Sequence, residues 1–82
     1  MSKVTSPKSL GQILKSARSQ RGLTQNQAGS LVGITQAMVS RIERGESNAR
    51  IDTLFRLFSA LELEIAVIPR QKITSQDEGD NW

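Results

Sequence analysis

Within the 22 residues from Thr24 to Gly45, the chain has little freedom in what it can fold into. Gly33 interrupts two runs whose apolar residues recur at helical spacing. Thr24 and Gln27 form a T-x-x-Q capping box, which satisfies two backbone donors that a helix start leaves unpaired. Ala28, Leu31 and Val32 are then expected to face inward, and Ile34 to anchor the turn at Gly33. Thr35 is placed to cap a further helix, with Val39 and Ile42 on its core side and Gly45 closing it. Arg41 and Arg44 suit the C-terminal end of that helix. Gly29, inside the first run, costs about 1 kcal/mol relative to Ala. A helix that accepts this cost has a backbone approaching closely at that point. Two short helices joined by a tight turn make a helix-turn-helix.

The flanks supply the remaining elements. Ser6 can cap a helix that begins at Pro7, because proline lacks an N–H where none is needed. Leu10, Ile13, Leu14 and Ala17 form one apolar stripe, Gly22 ends the helix, and Leu23 is expected in the core. After a polar loop, Glu46 to Arg50, a fourth helix is predicted over roughly Ile51 to Leu61. Its apolar set, Ile51, Leu54, Phe55, Leu57, Phe58 and Leu61, is wider than one stripe. Phe55 and Phe58 either enlarge the core or meet a second copy of the chain, and the second reading is preferred. Leu63, Ile65 and Val67 alternate with Glu64 and Ala66 as a strand does, and Pro69 stops the pattern. A single strand needs a partner. The simplest partner is its own copy across a two-fold axis, and the alternative is an arm lying on its own domain.

Composition bounds the function. The chain has 82 residues, enough for one small domain. It has no cysteine and no histidine. Disulfides are therefore excluded, and no catalytic triad, metal set or phosphate loop can be assembled, so an enzyme is not expected and no cofactor or metal is predicted. Residues 1–9 lack the apolar run of a signal peptide, and no stretch approaches a membrane span of about 20 residues, so a cytoplasmic place is expected. Residues 1–61 hold nine Lys/Arg against three Asp/Glu, whereas residues 62–82 hold two against five. A basic folded part suits a polyanion, although many small domains are this basic for solubility alone. Residues 1–68 are read as the folded unit. Residues 69–82 are read as a polar, flexible tail, too poor in apolar content to order itself.

The helix that starts after Thr35 presents residues suited to base edges. Gln36 can pair bidentately with adenine, Ala37 can meet a thymine methyl, and Ser40, one turn on, can donate or accept. Thr35 and Arg41 flank this face, and Arg41 could read guanine or only touch phosphate. Gln25, at the start of the preceding helix, and Asn48 and Arg50, in the later loop, are candidate phosphate contacts that position without reading sequence. Each is an ordinary surface residue alone. The combination of capped helix, small Gly29, Gly33 turn, polar helix start and basic flanks predicts sequence-specific binding to double-stranded DNA.

The segments Gly22-Leu23-Thr24-Gln25, Gly33-Ile34-Thr35-Gln36 and Ser40-Arg41-Ile42-Glu43-Arg44-Gly45 resemble the Cro/C1-type, Xre-like helix-turn-helix family, over about residues 8–62. The resemblance implies a lambda-repressor-like all-α domain of four helices, with Gln25, Gln36, Ala37, Ser40 and Arg41 at the DNA surface. It implies a small residue at Gly29 where the two helices touch. It also implies that Glu43 pairs with a basic residue of the first helix, which makes Arg18 structural. Two positions depart from the family pattern: Ala28 stands where Leu is usual, and Arg50 where a capping Ser or Thr is usual.

Asn48 to Phe55, the Leu63–Val67 strand and a tail ending in Trp82 further resemble the HipB antitoxins of HipA-type toxin–antitoxin pairs. That resemblance implies a homodimer with a two-stranded intermolecular sheet, a HipA-type kinase toxin as partner, and repression of the shared operon through a palindromic site. Trp82 could fill a partner's pocket, because a lone Trp on a polar end can bury a large area, or it could simply lie in solvent. A stand-alone phage-type or metabolic repressor, and a protein-interaction module without DNA binding, are the alternatives.

Overall fold

The computed structural model describes residues 3–46 and 48–70. They form four helices, α1 (Pro7–Gln20), α2 (Gln25–Ser30), α3 (Gln36–Glu43) and α4 (Ile51–Ala60). Three helix starts lie where the capping residues put them. The Ser6 hydroxyl accepts from the Ser9 N–H at 3.1 Å, and the Ser9 hydroxyl in turn accepts from the Ser6 N–H at 3.1 Å, a reciprocal box the sequence reading missed. Thr24 and Gln27 close the expected box on α2, at 3.0 and 2.8 Å. Thr35 Oγ1 accepts from the Met38 N–H at 3.2 Å. At α4, Arg50 occupies the cap position and makes no side-chain cap bond.

The core is Leu14, Ala28, Ile34, Val39, Ile42, Leu57, Phe58 and Leu61, with Leu10, Ala17, Leu23, Val32, Met38, Ala49, Leu54 and Leu63 packed around it. α3 packs on both α1 and α2, and α2 also packs on α4. At the α1–α3 crossing lies Gly11, buried, whose missing Cβ leaves room for backbone. A Cβ there would sit 2.5 Å from the carbonyl oxygens of both Ile42 and Glu43.

Two apolar residues are not where the pattern put them. Leu31 is 63% exposed, not inward. α2 ends at Ser30, and the Gly29 carbonyl then accepts from both the Val32 N–H (3.1 Å) and the Ile34 N–H (2.9 Å). That tight return swings Leu31 outward and brings Ile34 into the core in its place. Phe58 is buried at 8% exposure within its own chain, whereas Phe55 stays 51% exposed. The two rings meet edge to face, with centroids 6.0 Å apart. Phe58 therefore enlarges the core, and the apolar excess on α4 narrows to Phe55 and Ile51.

α4 closes with a left-handed residue that is not glycine. Glu62 has φ 57°, and the Leu63 N–H returns to the Phe58 carbonyl at 2.8 Å. Arg21, just after α1, secures this end by donating to the Leu61 carbonyl at 2.7 Å and pairing with Glu62 at 3.1 Å. Glycine removes the Cβ clash of a left-handed residue but loses the exposed ion pair and costs more backbone entropy. Glu62→Gly is therefore expected to raise stability by about 0.5–1 kcal/mol in chemical denaturation.

Residues 63–70 follow with neither helix nor sheet ladder. A ladder needs a second strand, and the described residues of one chain hold none. Leu63 packs on the core, while Ile65, Val67 and Ile68 are exposed. Trp82 lies outside the described residues, as does most of the tail. Among the described residues no helix is long and apolar enough to cross a membrane.

Candidate nucleic-acid interface

The face of α3 divides by depth. Val39 and Ile42 are buried in the core, and the Glu43 side chain is buried with them. Thr35, Gln36, Ala37 and Arg41 are exposed, and Ser40 is half-buried. Gln36, Ala37 and Arg41 thus share the solvent side of one helix, with exposed Thr35 at its cap. Thr35 uses one of its two oxygen lone pairs on the cap and keeps the other, with its hydroxyl proton, for a further contact. Ser40 Oγ accepts from Arg44 Nη1 at 2.6 Å, and Arg44 Nε reaches Glu46 at 3.1 Å. Arg44 therefore holds Ser40 from one turn away. The i, i+4 spacing could have revealed this pair, which the sequence reading missed.

Behind this face lies one buried ion pair. Arg18 Nε donates to Glu43 Oε2 at 2.6 Å and Nη2 to Oε1 at 3.1 Å, a bidentate clamp. Arg18 Nη1 also donates to the Leu23 carbonyl at 2.8 Å. The hydrogen bond that Arg18 donates to Glu43 raises the Arg18 pKa above its ordinary value; burial opposes this, and the carboxylate's charge adds to the rise. Arg18 is accordingly structural: it ties α1 to the end of α3 and to the entry of α2.

Gln25 joins the ion pair to the surface. Its Nε2 donates to Glu43 Oε1 at 3.1 Å, and its Oε1 accepts from Gln36 Nε2 at 3.3 Å. Gln25 and Gln36, on different helices, are thus brought together. Asn48 and Arg50 are exposed and take no part in the hydrogen bonds of this relay, and Arg50 lies 3.4 Å from Asp52 in a solvent-facing pair. Among the described residues no group of three or more His, Cys, Asp or Glu could hold a metal.

A helix-turn-helix family, HTH_3, matches residues 14–68, two-thirds of the chain. The chain belongs to this Xre-like helix-turn-helix family. Members resembling it include antitoxin HipB of Escherichia coli K12, 34% identical over 79% of this chain and 74% of HipB. An uncharacterised HTH-type transcriptional regulator of Haemophilus influenzae is 36% identical, over 68% of this chain and 57% of that protein. The chain thus spans little more than half of the Haemophilus relative. Among solved structures, a chain from a HipA–HipB–O2–O3 complex superposes with TM-score 0.79 at 31% identity, covering 87% of this chain and all of that one. A restriction-modification controller protein from Aeromonas hydrophila superposes with TM-score 0.67 at 31% identity, covering 71% of this chain and 84% of that one. As an Xre-like helix-turn-helix protein, the chain is a DNA-binding transcriptional regulator with homology to HipB antitoxins, and these relatives are regulators and antitoxins rather than enzymes.

Proposed function

We propose that the chain is a cytoplasmic repressor that binds a palindromic operator as a homodimer and serves as antitoxin to a HipA-type kinase toxin, repressing the operon that encodes both. The observation that carries the DNA half is the Gln25–Gln36 contact at the exposed start of α3. It holds a glutamine amide outward on the helix that enters the major groove in such motifs. In this reading Gln36, Ala37 and Ser40 meet base edges, with Thr35 and Arg41 beside them, while Gln25, Asn48 and Arg50 meet phosphates. Half-sites would lie about 34–36 Å apart, or a multiple of that.

Gln36→Ala is expected to cost roughly 1–3 kcal/mol on the preferred sequence and to relax preference at one base pair. Arg50→Ala should weaken all duplexes alike and make affinity less steep in salt. Titrations of both variants against matched and mismatched duplexes at several salt concentrations check this. Identical behaviour of the two would remove the division into readers and clamps.

The dimer half rests on the exposed Phe55 and Ile65, which line one cleft with half-buried Leu63 and buried Phe58, and on the exposed Val67 two residues beyond Ile65. Pairing residues 63–67 of two copies would supply the ladder that one chain lacks and cover these side chains. Ile65→Asp is expected to yield monomers in sedimentation. An unchanged dimer would refute the shared sheet. Similarity to HipB supports the toxin partner, with Trp82 as its proposed anchor, and a pull-down of a HipA-type kinase that fails with Trp82→Ala tests it. Capture unaffected by Trp82→Ala would free the anchor of that role, and no capture at all would favour a stand-alone repressor.

A further inference from the structure

We propose that Glu43 is a positioning residue for base recognition: from inside the fold, it sets which end of the Gln36 amide faces the DNA. The proposal rests on the reading of Gln36 as a base reader and adds a buried determinant to it.

Both Glu43 carboxylate oxygens accept hydrogen bonds from the Arg18 guanidinium, and toward Gln25 the carboxylate likewise presents an acceptor. Gln25 must therefore turn its NH2 toward Glu43, which it does at 3.1 Å. That choice sends the Gln25 carbonyl oxygen to the opposite side, where it can only accept. Gln36 answers with its own NH2, at 3.3 Å. Its carbonyl oxygen and second N–H are left to face outward as one acceptor and one donor in a set order. Adenine presents the complement, an N6 donor beside an N7 acceptor. A glutamine alone on a helix surface turns its amide over freely and presents either order. The relay removes that freedom, and its polarity starts at the one group in the line that cannot donate. Arg18, fixed by three hydrogen bonds, anchors the starting point.

The test uses the full chain and duplexes selected by it from a randomised DNA pool, each then altered one base pair at a time. Gln36→Ala is expected to lose discrimination at one base pair, on the order of 5- to 150-fold. Gln25→Leu leaves the Arg18–Glu43 pair intact and cuts the relay. It should lose most of that discrimination at the same base pair although Gln36 is present. Combining it with Gln36→Ala should remove no more. Glu43→Gln, whose amide can donate and so lets Gln25 turn over, should act likewise when assayed well below its melting temperature. A readout without substitution accompanies these: the side-chain NH2 of Gln25 should exchange with solvent more slowly than that of the exposed Gln12.

A Gln25→Leu protein that binds every duplex more weakly by one factor, with discrimination at that base pair intact, overturns the relay. Equal exchange at Gln25 and Gln12 also overturns it. If Gln36→Ala changes no base preference, the base-reading assignment itself fails, a different outcome from failure of the relay.

Discussion

Glu43→Ala is expected to lower folding stability by about 3–5 kcal/mol, the largest loss from any single polar substitution in this domain. The Glu43 side chain is 4% exposed and that of Arg18 13%. Removing the carboxylate leaves a guanidinium that cannot neutralise itself and has lost two of its three hydrogen bonds. Gln25 loses its partner at the same time. Exposed pairs give the contrast. Arg50 and Asp52 lie 3.4 Å apart in solvent, and Asp52→Ala should move stability by less than about 1 kcal/mol. Urea denaturation of both variants measures the difference. Replacing Arg18 and Glu43 together by apolar residues of similar volume should recover much of the loss, because no unpaired charge then remains. A Glu43→Ala protein as stable as the wild type would show that water reaches Arg18 freely.

Gly29→Ala is the second large effect, expected at about 2–3 kcal/mol of destabilisation. Alanine is the better helix former by about 1 kcal/mol, so propensity alone predicts the opposite sign. Geometry decides. The new Cβ would run into the Ile34 carbonyl oxygen, with the Ile34 carbonyl carbon at 3.1 Å and Val39 Cγ2 at 3.2 Å. The first obstacle is backbone and cannot rotate away. The same turn carries the Gly29 carbonyl's two hydrogen bonds, so relief has to come from moving α2 relative to α3. DNA affinity should fall with stability, because that movement re-aims Gln36. Gly22→Ala is the control: it meets nothing within 4 Å and carries only the strain of φ +70°, about 1–2 kcal/mol, with DNA affinity retained. Equal losses of binding in the two variants would show that α3 is not re-aimed.

Much of this architecture was legible in the chain, for local reasons. Ser6, Thr24 and Thr35 are caps whose geometry involves residues three positions on, so the helix starts followed from short-range chemistry. Gly29 was legible as a close approach because a helix has no local reason to hold glycine. Leu31 was misplaced because the pattern of α2 continued past the point where the Gly29–Ile34 return bends the chain. Phe55 and Phe58 lie side by side on α4, and only the position of the neighbouring helices separates the core residue from the exposed one. Gly11 was missed because a small residue on a helix does not reveal that carbonyls of another helix fill its space. At the interface, the exposed side of α3 followed from periodicity, and Arg18–Glu43 from family resemblance. The Gln25 link between Glu43 and Gln36 joins residues 11 and 18 positions apart and exists only once the helices have packed.

The depth division on α3 bears on how such a protein could acquire a new target. Ala37 and Arg41 are exposed and outside the core, so exchanging them rewrites the surface without disturbing the fold. Gln36 is equally exposed, yet its amide ends a line that begins at a buried charge pair. Substitution there leaves Gln25 with an unanswered oxygen and slackens a contact that reaches α1. Two neighbouring residues of the proposed recognition surface therefore differ in how freely they can drift. Position 37 can change by itself, while position 36 is expected to change together with position 25, so if Gln36 reads a base as proposed, new specificities there should arise as paired replacements.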